Sequence, residues 1–344
     1  MIEVRHSRGG YPVAFVDLET AIQSLPEASF VVTDANVADH YGHRFGRLPT
    51  LILEPGEQSK SIEGLGRVLS WLAGSGASRL STVVALGGGV VGDLAGFAAA
   101  AYMRGIDLVQ IPTSLLAQVD SSVGGKVGID LPEGKNLAGA FHPPQAVYIP
   151  LETLATLPER QLRNGMAEVC KYAFIMRPSL IGALQQPLAP DSADLADLIK
   201  TCIVLKAEVV QEDEHERTGR RAILNFGHTV GHAIEQLTGY GPVLHGEAIA
   251  VGMLVEARLG ELLGVSEPGT ADAVEGVLAA QRLPTRHEIL YQSARLIDVM
   301  RRDKKSARGQ LTFSLLERLG ACRLFEGVSQ AAVEHALIAS CGEA

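Results

Sequence analysis

Two histidines four residues apart on a helix can grip one metal ion, and Asn225-Phe226-Gly227-His228-Thr229-Val230-Gly231-His232 offers that spacing. His245-Gly246-Glu247 follows shortly after. Neutral imidazoles joined by a carboxylate make the commonest zinc site with an open coordination position. Glu168, Glu235 and Glu247 are the candidate carboxylates. Spacing alone selects His228 and His232 as co-ligands. The competing account is a helix N-terminus whose histidines are only hydrogen-bonded.

A second chemical signal is Gly87-Gly88-Gly89-Val90-Val91-Gly92, a GxGxxG run between a predicted strand and a predicted helix. Backbone without Cβ can approach a pyrophosphate, and a helix N-terminus favours its charge. The acidic residue expected about twenty positions on is not clearly present. A tight strand-to-helix turn is the alternative. Val123-Gly124-Gly125-Lys126 and Glu133-Gly134-Lys135-Asn136 set two lysines among glycines, in segments that read as loop. Ammonium groups beside close-approach backbone suit a phosphate monoester, and Asp120 lies nearby. Solvated surface lysines are the bland alternative. Lys206, Arg217, Arg220, Arg221 and Arg301-Arg302-Asp303-Lys304-Lys305 add cations to the second half. An arginine fork matches a carboxylate, although a charge run is usually a solvated face.

The elements that must position these residues follow from patterning. Short β-branched runs at 30–33, 51–53, 81–86, 108–111 and 146–149 stop at Asp34, Pro55-Gly56, the glycine run, Pro112 and Pro150, and a helical stretch covers 61–72. Continuous apolar strands separated by helices indicate a parallel sheet covered on both faces, with ligands at the carboxyl ends of its strands. Asp34, Gly87–Gly89 and Thr113 fall just past such ends. Beyond 151–157 helical periodicity takes over, at 194–210, 229–237, 247–263 and 270–280, with one late strand at 311–315. No repeat or low-complexity linker appears, so two domains sharing a cleft are expected.

The 344 residues suit two domains, and the abundance of glycine (37 residues) suits an α/β enzyme with tight turns near its ligands. A net charge of −9 argues against a nucleic-acid partner, which needs a basic stripe. Cys170, Cys202, Cys322 and Cys341 show no CxxC spacing, so neither structural zinc nor a redox dithiol is indicated, and a reducing, cytoplasmic setting is expected. Residues 1–10 hold no apolar core of a signal peptide, and the longest apolar run, 94–103, is too short for a membrane.

Taken together, the segments resemble the 3-dehydroquinate synthases, within the sugar phosphate cyclase superfamily. The matching blocks run from Thr33-Asp34-Ala35-Asn36-Val37 through Pro55-Gly56-Glu57-Gln58-Ser59-Lys60, 87–97, Tyr102-Met103-Arg104-Gly105, 112–128, Gly134-Lys135-Asn136, 164–172, 224–235 and His245-Gly246-Glu247 to Arg302-Asp303-Lys304-Lys305. The resemblance implies an α/β N-terminal domain (1–155) with a mostly parallel Rossmann-like sheet that binds NAD. A mainly α-helical C-terminal domain (156–344) would bind metal and substrate. It implies a metal, normally zinc with cobalt as the other candidate, on Glu168, His228 and His245. His232 becomes a substrate and proton-relay residue, against the spacing argument. NAD is assigned to Asp34, Asn36, Glu57, Lys60, Gly88, Gly89, Asp93, Thr113, Ser114, Lys126, Lys135, Thr153 and Thr156. Substrate is assigned to Asp120, Lys126, Asn136, Arg104, Lys171, Lys206, Arg221, Asn225 and Lys304, with Lys305 beside it. His232, Lys126, Asn136, Arg104 and Asp120 form the implied catalytic group.

The departures are small. Val127 and Asp130 stand where Thr and Asn are more usual, Ser114 keeps a hydroxyl, and Phe141-His142-Pro143-Pro144 ends differently. The implied reaction converts 3-deoxy-D-arabino-heptulosonate 7-phosphate to 3-dehydroquinate and phosphate in the shikimate pathway. It proceeds by transient oxidation with NAD, β-elimination of phosphate, re-reduction and intramolecular aldol closure, in a homodimer by family expectation. Other readings are a sister sugar phosphate cyclase, a metal-dependent polyol dehydrogenase, and an NAD-sensing module without chemistry.

Overall fold

The computed structural model describes residues 1–7, 9–302 and 311–341. Lys304 and Lys305 lie outside the described residues. The chain opens with β1 (Ile2–His6), β2 (Gly9–Phe15), α1 (Leu18–Gln23), β3 (Ser29–Asp34), α2 (Ala35–Tyr41), β4 (Thr50–Leu53), α3 (Ile62–Gly74), β5 (Thr82–Gly87), α4 (Gly89–Ala101) and β6 (Asp107–Pro112). Then come β7 (Lys126–Leu131), β8 (Gly134–Phe141), β9 (Ala146–Ile149), α5 (Glu159–Ile175) and α6 (Ala193–Glu212). The rest is α7 (His228–Thr238), α8 (His245–Leu262), α9 (Thr270–Ala280), α10 (Ser293–Arg302), β10 (Leu311–Arg318), β11 (Ala321–Val328) and α11 (Gln330–Ala339).

Two compact units form: Met1–Leu162 with Pro190–His215, and Arg163–Ala189 with Glu216–Ala344. A single boundary at 155/156 therefore misses one feature, because α6 and its Lys206 belong to the first unit.

The first unit is built on a seven-stranded sheet in the order β1-β2-β9-β6-β5-β3-β4. Only the β1–β2 edge pair is antiparallel, and every other pairing is parallel. This is the mostly parallel sheet expected. The central strand β5 is buried along its whole length. Its alternate side chains serve opposite layers: Val83 and Ala85 pack with Val68, Leu72 and Leu94, while Val84 and Leu86 pack with Leu18, Tyr41 and Phe45. Each such buried Val or Leu contributes about 1.5–3 kcal/mol of transfer free energy. The chain moves from β3 outward to β4, then returns to β5 on the other side of β3. That reversal places a topological switch point between the carboxyl ends of β3 and β5, at Asp34 and Gly87, where such sheets take their ligands.

One expectation fails here. Lys126, Lys135 and Asn136 are not in loops; they lie on the antiparallel hairpin β7–β8. Gly128 and Gly139 within the hairpin are needed because the two strands lie close together. A Cβ on Gly128 would press on the Ala138 carbonyl at 2.8 Å.

In the second unit α7, α8, α10, α11 and β10 enclose one core, including Val230, Ile234, Val255, Leu296, Phe313 and Leu337. Helix α8 is buried around nearly its whole circumference, as expected of a helix at the centre of a bundle. Small residues allow α7 and α8 to cross closely. A Cβ on Gly252 would collide with the Gly227 carbonyl, and one on Gly231 would reach the Ile249 Cα at 3.0 Å.

Candidate functional site

The second unit brings Glu168, His228 and His245 together, with one ligand atom from each within 4.8 Å of the others. Glu168 sits on α5, fully buried. His228 opens α7 and His245 opens α8. His228 Nε2 and His245 Nε2 each lie 3.4 Å from Glu168 Oε1. Behind the rings, His228 Nδ1 meets the Phe226 carbonyl at 3.2 Å and His245 Nδ1 meets Glu235 Oε2 at 3.3 Å. A carbonyl and a carboxylate only accept, so each Nδ1 carries the hydrogen and each Nε2 faces Glu168.

The helix starts are tied down beside their ligands. Asn164, one turn before Glu168 on α5, accepts the Gly246 N–H through Oδ1 at 2.5 Å. Glu256 of α8 is fully buried and accepts the Gly227 N–H at 2.7 Å and the Val230 N–H at 3.2 Å. It supplies the cap that Gly227, in the left-handed region at φ 83°, cannot provide.

The electrostatics fit a divalent cation. Burial opposes charge on Glu168, yet the Lys171 ammonium against Oε2 and the two imidazoles hold its carboxyl well below the usual range. Its buried Oε2 faces the Lys171 ammonium and its buried Oε1 faces both imidazoles. Burial and the Lys171 charge hold His228 below its ordinary value, which leaves its lone pair available. Burial also opposes charge on His245, but Glu235 and Glu168 outweigh it and push the imidazole up to about 10. The field that holds that proton would hold a cation in its place at Nε2. His232, the co-ligand chosen by spacing, falls in a different group with Glu235 and His245. Its ring centroid is 5.3 Å from that of His228 and 6.1 Å from that of His245. Glu247 takes a structural role, accepting the Leu244 N–H at 2.9 Å at the start of α8. Arg221 is buried, with Nε 3.8 Å from Glu216 Oε1, and Asn225 closes the same short helical turn.

The first unit gathers most of the predicted cofactor residues at the carboxyl ends of its strands. Asp34 caps α2, its Oδ1 accepting the Val37 N–H at 3.0 Å; burial raises its pKa, against the hydrogen bonds from Val37 and Asn36. Gly88 is the side-chain-free N-cap of α4. A Cβ at Gly88 would meet Ser114 Oγ at 3.4 Å, and one at Gly89 would meet Ser121 Oγ at 3.1 Å. The Thr113 N–H reaches the Gly87 carbonyl at 2.9 Å. Gln118 Nε2 donates to Pro112 O at 3.2 Å and Pro150 O at 3.3 Å, tying the ends of β6 and β9, and lies 3.4 Å from Thr153 Oγ1. Thr156 Oγ1 meets the Tyr41 hydroxyl at 2.7 Å.

A charged group lies beside this end. Lys60 Nζ reaches Asp93 Oδ2 and Asn136 Oδ1, both at 2.6 Å, and Lys135 Nζ reaches Glu57 Oε1 at 3.1 Å. Burial opposes charge on Lys60, but Asp93, Glu57 and Asp130 outweigh it and keep the ammonium. Burial likewise opposes the charge on Glu57, whose carboxyl Lys135 and Lys60 nonetheless hold low. Separately, Lys206 Nζ contacts Asp120 through Oδ1 at 3.0 Å and O at 2.6 Å. Lys126 and Arg104 are exposed. Asn164 and Glu256 carried no chemical signal of their own, since their partners are backbone groups distant in sequence.

Sequence similarity points to one family. The family model described as 3-dehydroquinate synthase N-terminal matches residues 50–164, and the one described as 3-dehydroquinate synthase C-terminal matches residues 165–306. A 3-dehydroquinate synthase of Opitutus terrae is 48% identical over 300 residues, 86% of this chain and 82% of its own. One from Xanthomonas oryzae pv. oryzae is 46% identical over 324 residues, 89% of this chain and 87% of its own. Among solved structures, the 2-epi-5-epi-valiolone synthase of Streptomyces hygroscopicus subsp. jinggangensis 5008, with NAD+ and Zn2+ bound, has a TM-score of 0.86 at 25% identity and covers 96% of each chain. A 2-deoxy-scyllo-inosose synthase complexed with carbaglucose-6-phosphate, NAD+ and Co2+ has a TM-score of 0.85 at 27% identity and covers 98% of each chain.

Proposed function

The chain belongs to the 3-dehydroquinate synthase family, and we propose from this that it converts 3-deoxy-D-arabino-heptulosonate 7-phosphate to 3-dehydroquinate and inorganic phosphate. It is an NAD- and metal-dependent carbon–oxygen lyase of the shikimate pathway, with zinc or cobalt as the metal. When bound, the cation supplies a Lewis acid for a substrate hydroxyl and NAD supplies a reversible hydride acceptor.

The chain's own residues divide the remaining work. Glu168, His228 and His245 hold the cation, with Lys171 keeping the carboxylate ionised. His232 relays a proton. Asn136, Lys126 and Arg104 hold the phosphate so that it leaves in a fixed orientation, and Asp120 with Lys206 completes the substrate contacts. Arg221, Asn225 and Lys304 take the acid end, where a guanidinium matches a carboxylate. NAD is held by Asp34, Asn36, Glu57, Lys60, Gly88, Gly89, Asp93, Thr113, Ser114, Lys126, Lys135, Thr153 and Thr156. A cytoplasmic homodimer belongs to the same proposal. Among the described residues no helix is long and apolar enough to cross a membrane.

The observation that carries this reading is the convergence of three ligand atoms from α5, α7 and α8, with an acceptor behind each imidazole. The test is phosphate release from the heptulosonate phosphate, beside sedoheptulose 7-phosphate and glucose 6-phosphate, with NADH absorbance followed throughout. The cyclase releases phosphate from the acid without net NADH and stops on chelation. Net NADH accumulation would point instead to a polyol dehydrogenase. That reading draws on the fold of a probable glycerol dehydrogenase from Sinorhizobium meliloti 1021, at 18% identity and a TM-score of 0.61.

A further inference from the structure

Asn136 is held through both its backbone N–H and its side-chain oxygen. It lies in the left-handed region at φ 54°, on the second strand of the β7–β8 hairpin. Its N–H donates to Asp130 Oδ1 at 2.8 Å. Its side-chain Oδ1 accepts from Lys60 Nζ at 2.6 Å. An ammonium only donates, so the amide oxygen must face Lys60 and the NH2 must point the other way. Among the described residues no acceptor meets that NH2, and the residue is exposed. Asp130 is itself anchored, because its N–H donates to the Lys60 carbonyl at 2.9 Å.

We propose that Asp130 is a positioning residue: it pins the Asn136 backbone so that the Asn136 amide presents its two N–H donors to the phosphate of substrate or product. The inference rests on the phosphate role given to Asn136 above and adds the group that enforces it. The charge around Asp130 gives the device a second property. Asp130, Asp93 of α4 and Glu57 contribute three carboxylates, against the two ammoniums of Lys60 and Lys135. Lys206 of α6 also acts on Asp93 but is paired with Asp120. The group therefore carries an excess negative charge when Asp130 is ionised, and an arriving anion favours the protonated carboxyl. A protonated Asp130 still accepts from the Asn136 N–H through its carbonyl oxygen, so the pin survives the titration.

The test titrates the NAD- and zinc-loaded enzyme with inorganic phosphate in wild type, Asp130→Asn, Asp130→Ala and Asn136→Ala, with thermal melts confirming that each variant folds. Asp130→Ala removes the acceptor and is expected to weaken phosphate about 10-fold, the scale of one lost hydrogen bond that orients a donor. Asp130→Asn keeps a side-chain oxygen for the Asn136 N–H and drops the charge, so it binds phosphate at least as tightly as wild type. Wild-type affinity relative to Asp130→Asn falls as the pH is raised through about 6, where burial has lifted the Asp130 carboxyl. Wild-type affinity in Asp130→Ala, or equal weakening in Asp130→Ala and Asp130→Asn, overturns the positioning role. Unchanged binding in Asn136→Ala instead overturns the phosphate role of Asn136, and the inference falls with it.

Discussion

The Glu235 carboxylate stands 3.3 Å from Nδ1 of His245, on the far side of the ring from Glu168. It therefore decides which nitrogen of His245 is free to ligate. Glu235 is buried, so the contact is poorly screened. Carboxylates behind metal-bound histidines raise ligand basicity and fix ring orientation. Glu235→Ala is expected to lower zinc affinity about 10–100-fold, measured by competition with a chelator of known affinity. Unchanged affinity would mean that His245 is oriented by the start of α8 alone.

Glu256 gives a stability effect at the same centre. Replacing it with Ala leaves the buried N–H groups of Gly227 and Val230 without their acceptor. Each buried orphan donor costs about 1–3 kcal/mol, so Glu256→Ala is expected to lower the stability of the metal-free protein by about 2–6 kcal/mol in denaturant melts. Glu256→Gln keeps an oxygen for Gly227 and should lose less.

Much of this centre was legible in the sequence, but not all by the same route. The strands at 30–33 and 81–86 could be read because they are buried on both faces and so carry unbroken β-branched runs. The helical spacing of His228 and His232 was read correctly, yet the structure gathers His228 with Glu168 and His245 and sets His232 in a separate group with Glu235 and His245. Spacing says which side chains share a helix face, whereas ligation depends on where each Nε2 is turned. Phe226, Glu235 and Glu168 set that, and Glu168 comes from another helix. Only the family pattern supplied Glu168 and His245 together. The β7–β8 hairpin escaped because glycines at 128 and 139, required by close strand approach, erase the alternation that marks a strand.

Gly246 shows what a single methyl does when its space belongs to backbone. A Cβ there would collide with the Asn164 carbonyl and lie 2.8 Å from Asn164 Oδ1. Backbone cannot rotate away as a side chain can. Gly246→Ala must therefore displace the start of α8, and His245 with it. The expected outcome is a loss of about 3 kcal/mol or more, at the upper end of overpacking costs, with zinc affinity falling in parallel. Thermal melts with and without zinc would separate the two effects.

Asp130 makes a pH-dependent contribution to stability whose sign follows from its environment. Burial raises its carboxyl from 3.8 to about 6, against the pull of Lys60 and the Asn136 N–H. The folded state then holds a proton that the unfolded chain has released between those two values. This contribution is fully present below 3.8 and is lost as the pH rises toward about 6. Asp130→Asn cannot titrate, so its stability should fall less steeply over that window. Parallel denaturant melts at a series of pH values check it, and identical slopes would refute it.

Arg221 bears on which substrate is accepted. It is a buried cation with Nε 3.8 Å from Glu216 Oε1, and its planar guanidinium fork matches the geometry of a carboxylate. A substrate carboxylate would meet that fork through two parallel hydrogen bonds. A sugar phosphate without a carboxylate would forgo that charge-assisted pair, and a polar contact of this kind discriminates more strongly than shape does. Arg221→Ala should therefore raise KM and lower kcat for the heptulosonate phosphate, cutting kcat/KM about 100-fold or more, the cost of a lost charge-assisted pair. NAD affinity should be unchanged, because the residues assigned to NAD lie in the first unit and Arg221 in the second. The telling comparison is the ratio of kcat/KM for the acid to that for sedoheptulose 7-phosphate, which should collapse toward unity in the variant. A ratio that stays at its wild-type value would move the recognition of the acid to another residue.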